Sequence, residues 1–292
     1  MKKTALTALA FIAAISPAET KSEQSAVWSI SDHDSTVYLA GSVHVLRETD
    51  LPIPKIFKQA YDESEEIVFE IDMAKMTDPG MVEKMREMGT LPASETLADK
   101  LKAETVEKLK AYLATRNVPF AIFKNFTPGM AYLTMTSLEA IKLGARPDLG
   151  LESQYFDLAS KDEKPSRGLE TAEYQMSRFN EFSDEEMDEV INKTLDEVDE
   201  MAESLNELIT IWKSGDMKEL EALIIEQMAP TPRVKKILLD ERNENWIPAI
   251  KKSLAEKHNV MFLVGAAHLV GEGSVVDLLE KKGLTVTNLE NE

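Results

Sequence analysis

Cysteine is absent from this chain, and histidine nearly so: 4 imidazoles in 292 residues. Without cysteine there is no disulfide, no thiolate nucleophile and no thiolate metal ligand. Imidazole nitrogen and carboxylate oxygen remain as a standard ligand set. Positive charge is also scarce. The 33 Lys and Arg face 52 Asp and Glu, a formal net charge of −19. A field of that sign repels phosphate backbones, which argues against nucleic acid as a partner, and draws in cations. Long apolar runs are missing as well. Past the first residues nothing approaches the roughly 20 apolar residues that a membrane-spanning helix needs. Nor does a Gly/Ser- or Pro-rich linker divide the chain.

What is present begins with a leader-like pattern. Lys2 and Lys3 precede the apolar run Ala5 to Ile15, and Ser16-Pro17-Ala18 supplies small residues around a cut after Ala18. Residues 1–18 read as a secretory signal peptide. The expected product is exported, periplasmic or extracellular, with no stable membrane span once the signal is removed. Residues 19–292 are expected to form a single α/β domain. Its central sheet should be mainly parallel and flanked by helices, with a large helical insertion at about 184–228.

Apolar runs at Val27–Ile30, Val37–Ala40, Ile67–Ile71 and Val260–Leu269 predict strands, the later ones buried on both faces. His33 falls in the polar turn between the first two. Helical spacing predicts one helix from Ser94 to Arg116, and Thr127-Pro128 starts another that stops at Gly144. Glu152 opens a helix through Ala159, and "PSRGLE" suits a short strand. A capping box at Ser183–Glu186 begins a long helix reaching Leu208, and Met217–Met228 should fold back on it. The segment carrying Arg242, Asn243 and Trp246 is helical, with Trp246 expected in packing and His258 at the following helix end or in solvent. The order strand, helix, strand at the end of the chain predicts a βαβ unit closing a parallel sheet.

Half of the histidines sit in matching contexts. "LAGSVH" ends at His44 and "LVGAAH" at His268: an apolar run, then Gly-x-x-His. In open α/β sheets ligands gather beyond the carboxyl ends of strands, and glycine there permits close approach. Glu70, at the end of "IVFE", joins them if its strand is parallel and adjacent. Two imidazoles and a carboxylate are ordinary ligation for Zn, Mn, Fe or Co. A hydrogen-bonded core histidine and an edge carboxylate facing water are the plainer alternatives.

These residues also carry a resemblance. "GSVHVL", "IVFEID", "GLE", "GLETAEYQ", "ERNENW" and "VGAAHLVGEG" occur in that order from about Val27 to Leu289. The chain resembles the TraB/GumN proteins, whose relatives include the Tiki metalloproteases. The resemblance implies a sheet-based core with helical insertions and an active site built from both Gly-x-x-His units plus acids. Carried over, His44 and His268 are the paired histidines and Glu70 the acid after the strand. Glu170 is the middle glutamate, and Arg242 and Asn243 are the polar pair on the penultimate helix. Glu152 stands where relatives have Asp, one methylene longer, and joins the expected ligands His44, His268 and Glu70. Capping of the "TAEYQ" segment is the other role open to Glu170. Arg242 is expected to hold a substrate or orient an acid.

The expected activity is metal-assisted hydrolysis of a peptide or other amide, using Mn, Co or Zn, with a peptide or small-molecule substrate. Glu70, Glu170, Arg242 and Asn243 are the expected catalytic set. The rival expectations are a non-catalytic haem- or metal-binding module and a secreted protein that binds a peptide signal.

Overall fold

The computed structural model describes residues 24–228 and 232–291. The expected signal peptide, residues 1–18, lies outside them. Six strands form one mixed sheet: β1 (Gln24–Ser31), β2 (Thr36–Ser42), β3 (Glu66–Ile71), β4 (Ser166–Glu170), β5 (Val260–Gly265) and β6 (Thr287–Glu290). Their spatial order is β4-β3-β5-β2-β1-β6. The β4/β3, β3/β5 and β5/β2 pairs are parallel, whereas β1 runs antiparallel to both β2 and β6. This is an α/β fold, mainly parallel as expected. All six residues of β5 are buried, as a central strand covered on both faces requires.

The helices in chain order are α1 (Lys55–Asp62), α2 (Pro79–Met88), α3 (Leu97–Lys100), α4 (Ala103–Thr115), α5 (Pro128–Lys142), α6 (Leu151–Lys161), α7 (Ala172–Phe179), α8 (Asp184–Asp196), α9 (Met201–Ser214), α10 (Met217–Met228), α11 (Pro232–Lys235), α12 (Glu241–Leu254) and α13 (Val275–Lys281). Helices α2 to α6 lie between β3 and β4, and α7 to α12 between β4 and β5. Among the described residues none is long and apolar enough to cross a membrane.

Three expectations need correction. The Ser94–Arg116 helix is two helices, broken where Leu101 and Lys102 turn extended. The buried Asp188 of α8 accepts the Lys102 N–H at 2.7 Å and so holds the new start of α4. The long helix from Ser183 is also two, α8 and α9, separated near 197–200. The acid run Asp196, Glu197, Asp199 and Glu200 falls at the end of α8, where the helix dipole disfavours negative charge. The capping box itself forms, and α9 and α10 pack against each other. Finally, β6 does not pair with a parallel strand. It crosses β5, β2 and β1 and closes the edge against β1, antiparallel.

A second apolar core, apart from the sheet, joins Leu97, Leu109, Leu113, Met135 and Ile191 from α3, α4, α5 and α8. Glu139 is buried inside this helical part at 2% exposure. Burial alone would raise its pKa, but hydrogen bonds from Arg116 and Lys142 outweigh this and hold it below the ordinary value. A depressed pKa contributes stability above the unfolded carboxyl value, about 4.3, and loses it as pH falls through the folded value. Glu139→Gln should therefore cost about 1–3 kcal/mol near neutral pH. In urea titrations its deficit should shrink on acidification; a deficit constant with pH would refute this assignment.

Candidate functional site

Because β3, β5 and β2 are neighbours and parallel, their carboxyl ends meet on one edge. Glu70 is the penultimate residue of β3, Gly265 the last of β5 and Ser42 the last of β2. His44 follows two residues after β2, and His268 closes a 3-10 turn, Ala266–His268, after β5. The split histidine pair and Glu70 are thus brought to one place.

Gly265 marks that place. A Cβ built on it would lie 3.1 Å from Glu70 Oε1, 3.4 Å from His44 Nε2 and 3.6 Å from His268 Cδ2. Three of the four expected ligands, Glu70, His44 and His268, face a cradle that a side chain would fill, while Glu152 stands behind His44. Glu70 Oε1 also accepts the Gly265 N–H at 2.7 Å and stands 3.8 Å from His268 Nε2. The ligand atoms of His44, His268 and Glu70 do not, however, all lie within 4.8 Å of one another. His44 stands across the cradle, its side chain 66% exposed.

Each imidazole is pinned through Nδ1. His268 Nδ1 lies 2.6 Å from Asn243 Oδ1, so it carries the proton and leaves the Nε2 lone pair free of hydrogen. Burial keeps this ring neutral, with its pKa lowered to about 3. His44 Nδ1 lies 2.8 Å from Glu152 Oε1, which also accepts from Ser42 Oγ. The Glu152 carboxylate raises the pKa of His44 to about 9. Gly150 permits this contact: a Cβ there would stand 2.0 Å from the His44 carbonyl oxygen, so only glycine lets α6 start so close.

Arg242 organises the buried side. Five residues before α12, the chain makes a π-helical turn, Lys236–Asp240, a distortion frequent at functional sites. The residues after it reach the sheet edge. Arg242 donates from Nη2 to Glu70 Oε2 at 2.6 Å and from Nε to Glu170 Oε2 at 3.0 Å. Its Nη1 donates to the Leu238 carbonyl at 3.0 Å and lies 3.1 Å from His268 Nε2. Burial alone would raise the Glu70 pKa, but His268 and Arg242 hold the carboxyl well below the usual carboxylate range.

Glu170 does not cap the next helix. Thr171 is the N-cap of α7, and Glu170 instead accepts from Arg242, from Trp246 Nε1 at 2.8 Å and from Gln175 Nε2 at 3.2 Å. Trp246 is packed as expected, but it also stacks on His268 with ring centroids 4.4 Å apart. Sequence reasoning missed this second role, and it missed Ser42 and Gln175 altogether. Gln175 bridges Glu70 and Glu170. Its signal was its place in "GLETAEYQ", a motif that assigned no task to the amide.

The cradle opens into a cavity of ≈ 680 Å³. Its floor is the polar sheet edge. Its walls are apolar, with Phe69 from β3, Leu133 from α5, Phe179 from α7, and Leu208, Leu220 and Ile224 from α9 and α10. The helices thus roof a site whose chemistry lies in the sheet.

The donors suit a divalent cation. Glu70, Glu170 and Glu152 bring three carboxylates around the Arg242 guanidinium and His44, and both imidazoles present Nε2. Pinning the far nitrogen of each ring is the usual support of a metal-ligating histidine.

Comparison with known proteins follows the same residues. The family model of the TraB/PrgY/gumN family matches residues 26–288. The uncharacterized protein YbaP of Escherichia coli (strain K12) is 22% identical over 242 residues, 83% of this chain and 87% of its own. Metalloprotease TIKI1 of Danio rerio is 26% identical over 314 residues, 89% of this chain and 62% of its own. Metalloprotease TIKI1 of Homo sapiens is 24% identical over 312 residues, so this chain spans about three-fifths of the TIKI1 relatives (61% for the human protein). No solved structure matches. With the match running from β1 to β6, the chain belongs to the TraB/PrgY/gumN family.

Proposed function

We propose that this chain is an exported metal-dependent hydrolase of peptide or other amide bonds. The observation that carries the reading is the cradle above Gly265, faced by His44, His268 and Glu70 at the floor of a cavity. Glu70 Oε1 and His268 Nε2, the latter in exchange for its Arg242 Nη1 contact, would hold a divalent ion, and His44 Nε2 faces them across the cradle. Such an ion supplies Lewis acidity toward a carbonyl and acidifies water.

The chain's own residues do the rest. Asn243 holds the Nδ1 proton of His268 in place, and Glu152 does the same for His44. Arg242 keeps Glu70 ionised and pointed at the cradle. Its donors are spent on Glu70, Glu170, Leu238 and His268, so it orients an acid and holds no substrate. The apolar walls exclude water and seat apolar groups of the substrate. Metalloprotease TIKI1 relatives support an amide as the bond attacked. Export rests on the leader pattern of residues 1–18.

Purified protein should be loaded with Mn, Co or Zn and given a broad peptide library read by mass spectrometry. Cleavage should require metal and vanish on chelation. Bound metal with an intact library would favour the binding-module reading. An equal metal content in wild type and His268→Ala would remove the metal from this site. Asn243→Ala should weaken metal binding about 10–100-fold through loss of the Nδ1 partner; an unchanged affinity would show that Asn243 does not set the ring.

A second reading of His44 has its own observation. The ring lies across the cradle, outside one coordination sphere with the other two, and is tied to Glu152. Such a pair suits a proton donor to a leaving amine at Nε2. His44→Ala that keeps its metal but loses turnover would select this role; loss of both would select the ligand role.

A further inference from the structure

We propose a second divalent-cation site, at the opposite edge of the sheet, formed by Glu66, Glu256 and His258. One ligand atom from each of these residues lies within 4.8 Å of the other two, the one such group of His and acidic residues among the described residues. His258 Nε2 stands 3.5 Å from Glu66 Oε2 and 3.6 Å from Glu256 Oε2. All three residues are partly buried.

Those distances are ion-pair distances longer than a hydrogen bond. A direct N–H to carboxylate hydrogen bond closes to about 2.7–3.2 Å, and a contact at 3.6 Å is not one. Donors that share a tetrahedral ion with bonds near 2.1 Å stand about 3.4 Å apart. The His258 contacts match the second spacing. One of the carboxylates is also prepared for it. Arg167 Nε donates to Glu66 Oε1 at 2.7 Å, which fixes that carboxylate and turns Oε2 toward His258. Arg167 is itself held by Ser253 Oγ at 3.0 Å. One imidazole with two carboxylates is borderline to hard ligation, so zinc or a similar first-row divalent ion is the class to expect.

The position explains what such an ion would do. Glu66 begins β3, whose other end carries Glu70. Glu256 follows α12, whose other end carries Arg242 and Asn243. His258 precedes β5, which ends at Gly265 just before His268. Three of the elements that build the candidate active site, β3, α12 and β5, therefore meet at their far ends. The ion would tie α12, β3 and β5 together as a structural clamp and leave the chemistry untouched.

Glu256→Gln and His258→Ala test this, with His268→Ala as the reference variant. Zinc content is measured on purified, zinc-loaded protein, and melting temperature is followed with excess zinc and with chelator. The proposal expects Glu256→Gln and His258→Ala each to lose one zinc per chain and the part of the zinc-induced rise in melting temperature that His268→Ala retains. Zinc content and thermal response equal to wild type in both variants would overturn it. The result is independent of the hydrolase reading. If His268→Ala keeps every zinc while His258→Ala loses it, the clamp stands and the active-site metal falls.

Discussion

Arg242→Ala should destabilise the chelator-treated protein by about 3–5 kcal/mol, the largest loss expected from a single change at the site. Arg242 is 8% exposed and Glu70 7% exposed, and the Glu170 side chain is 5% exposed. Removing the guanidinium leaves two carboxylates facing each other away from water. Breaking a buried pair costs far more than the pair contributes, because the surviving charges remain without their partner. His268 also loses its neighbour at Nε2. Lysine should rescue only part, since one ammonium cannot meet Glu70 and Glu170 with separate, fixed N–H groups. Glu70→Gln in the Arg242→Ala background should recover stability, because one of the stranded charges is gone. Urea unfolding checks this. A loss below about 1 kcal/mol, the range of an exposed pair, would mean that Arg242 is not the countercharge described. The measurement needs a chelator, since a bound cation could replace the missing charge.

His268→Ala should lower kcat/KM by about 10³-fold or more once a substrate is in hand. A metal acting as Lewis acid supplies several kcal/mol to the transition state, and each 1.36 kcal/mol is tenfold in rate. His268 is the fixed member of the proposed ligand set: buried, neutral, pinned by Asn243 and stacked on Trp246. Its Nε2 stands 3.8 Å from Glu70 Oε1. The variant also opens space under Trp246, so circular dichroism and a melting curve should accompany the kinetics. A folded His268→Ala with turnover near wild type would end the metallohydrolase proposal at this site. Asn243→Ala should fall between the two, because it disturbs the ring without deleting it.

Much of the architecture was legible beforehand. Continuous apolar runs marked β2, β3 and β5 because central parallel strands are covered on both faces. Gly-x-x-His after two of those runs named the histidines. Helix breaks were less legible. The helical spacing of Leu97, Leu101 and Val106 continues across a kink that is held by Asp188, 86 residues away. The role of Trp246 was half visible: apolar bulk predicted its packing, while its hydrogen bond to Glu170 needed that acid to arrive from β4.

The sequence by itself determined the chemistry on offer. With no cysteine, four histidines and a strong negative charge, thiolate ligation is excluded and imidazole with carboxylate is the donor set on offer. It also placed those donors at strand ends, because apolar run and terminating glycine are local patterns. Only the tertiary structure decided how they are shared. The order β3-β5-β2 sets Glu70, Gly265 and His44 side by side, and strand order depends on pairing between segments more than 180 residues apart. The same packing gave Glu152 to His44, committed Arg242 to two acids, and gathered Glu66, Glu256 and His258 at the other edge. A side chain's partner is whatever the assembled sheet and helices bring to it, and no local spacing encodes that.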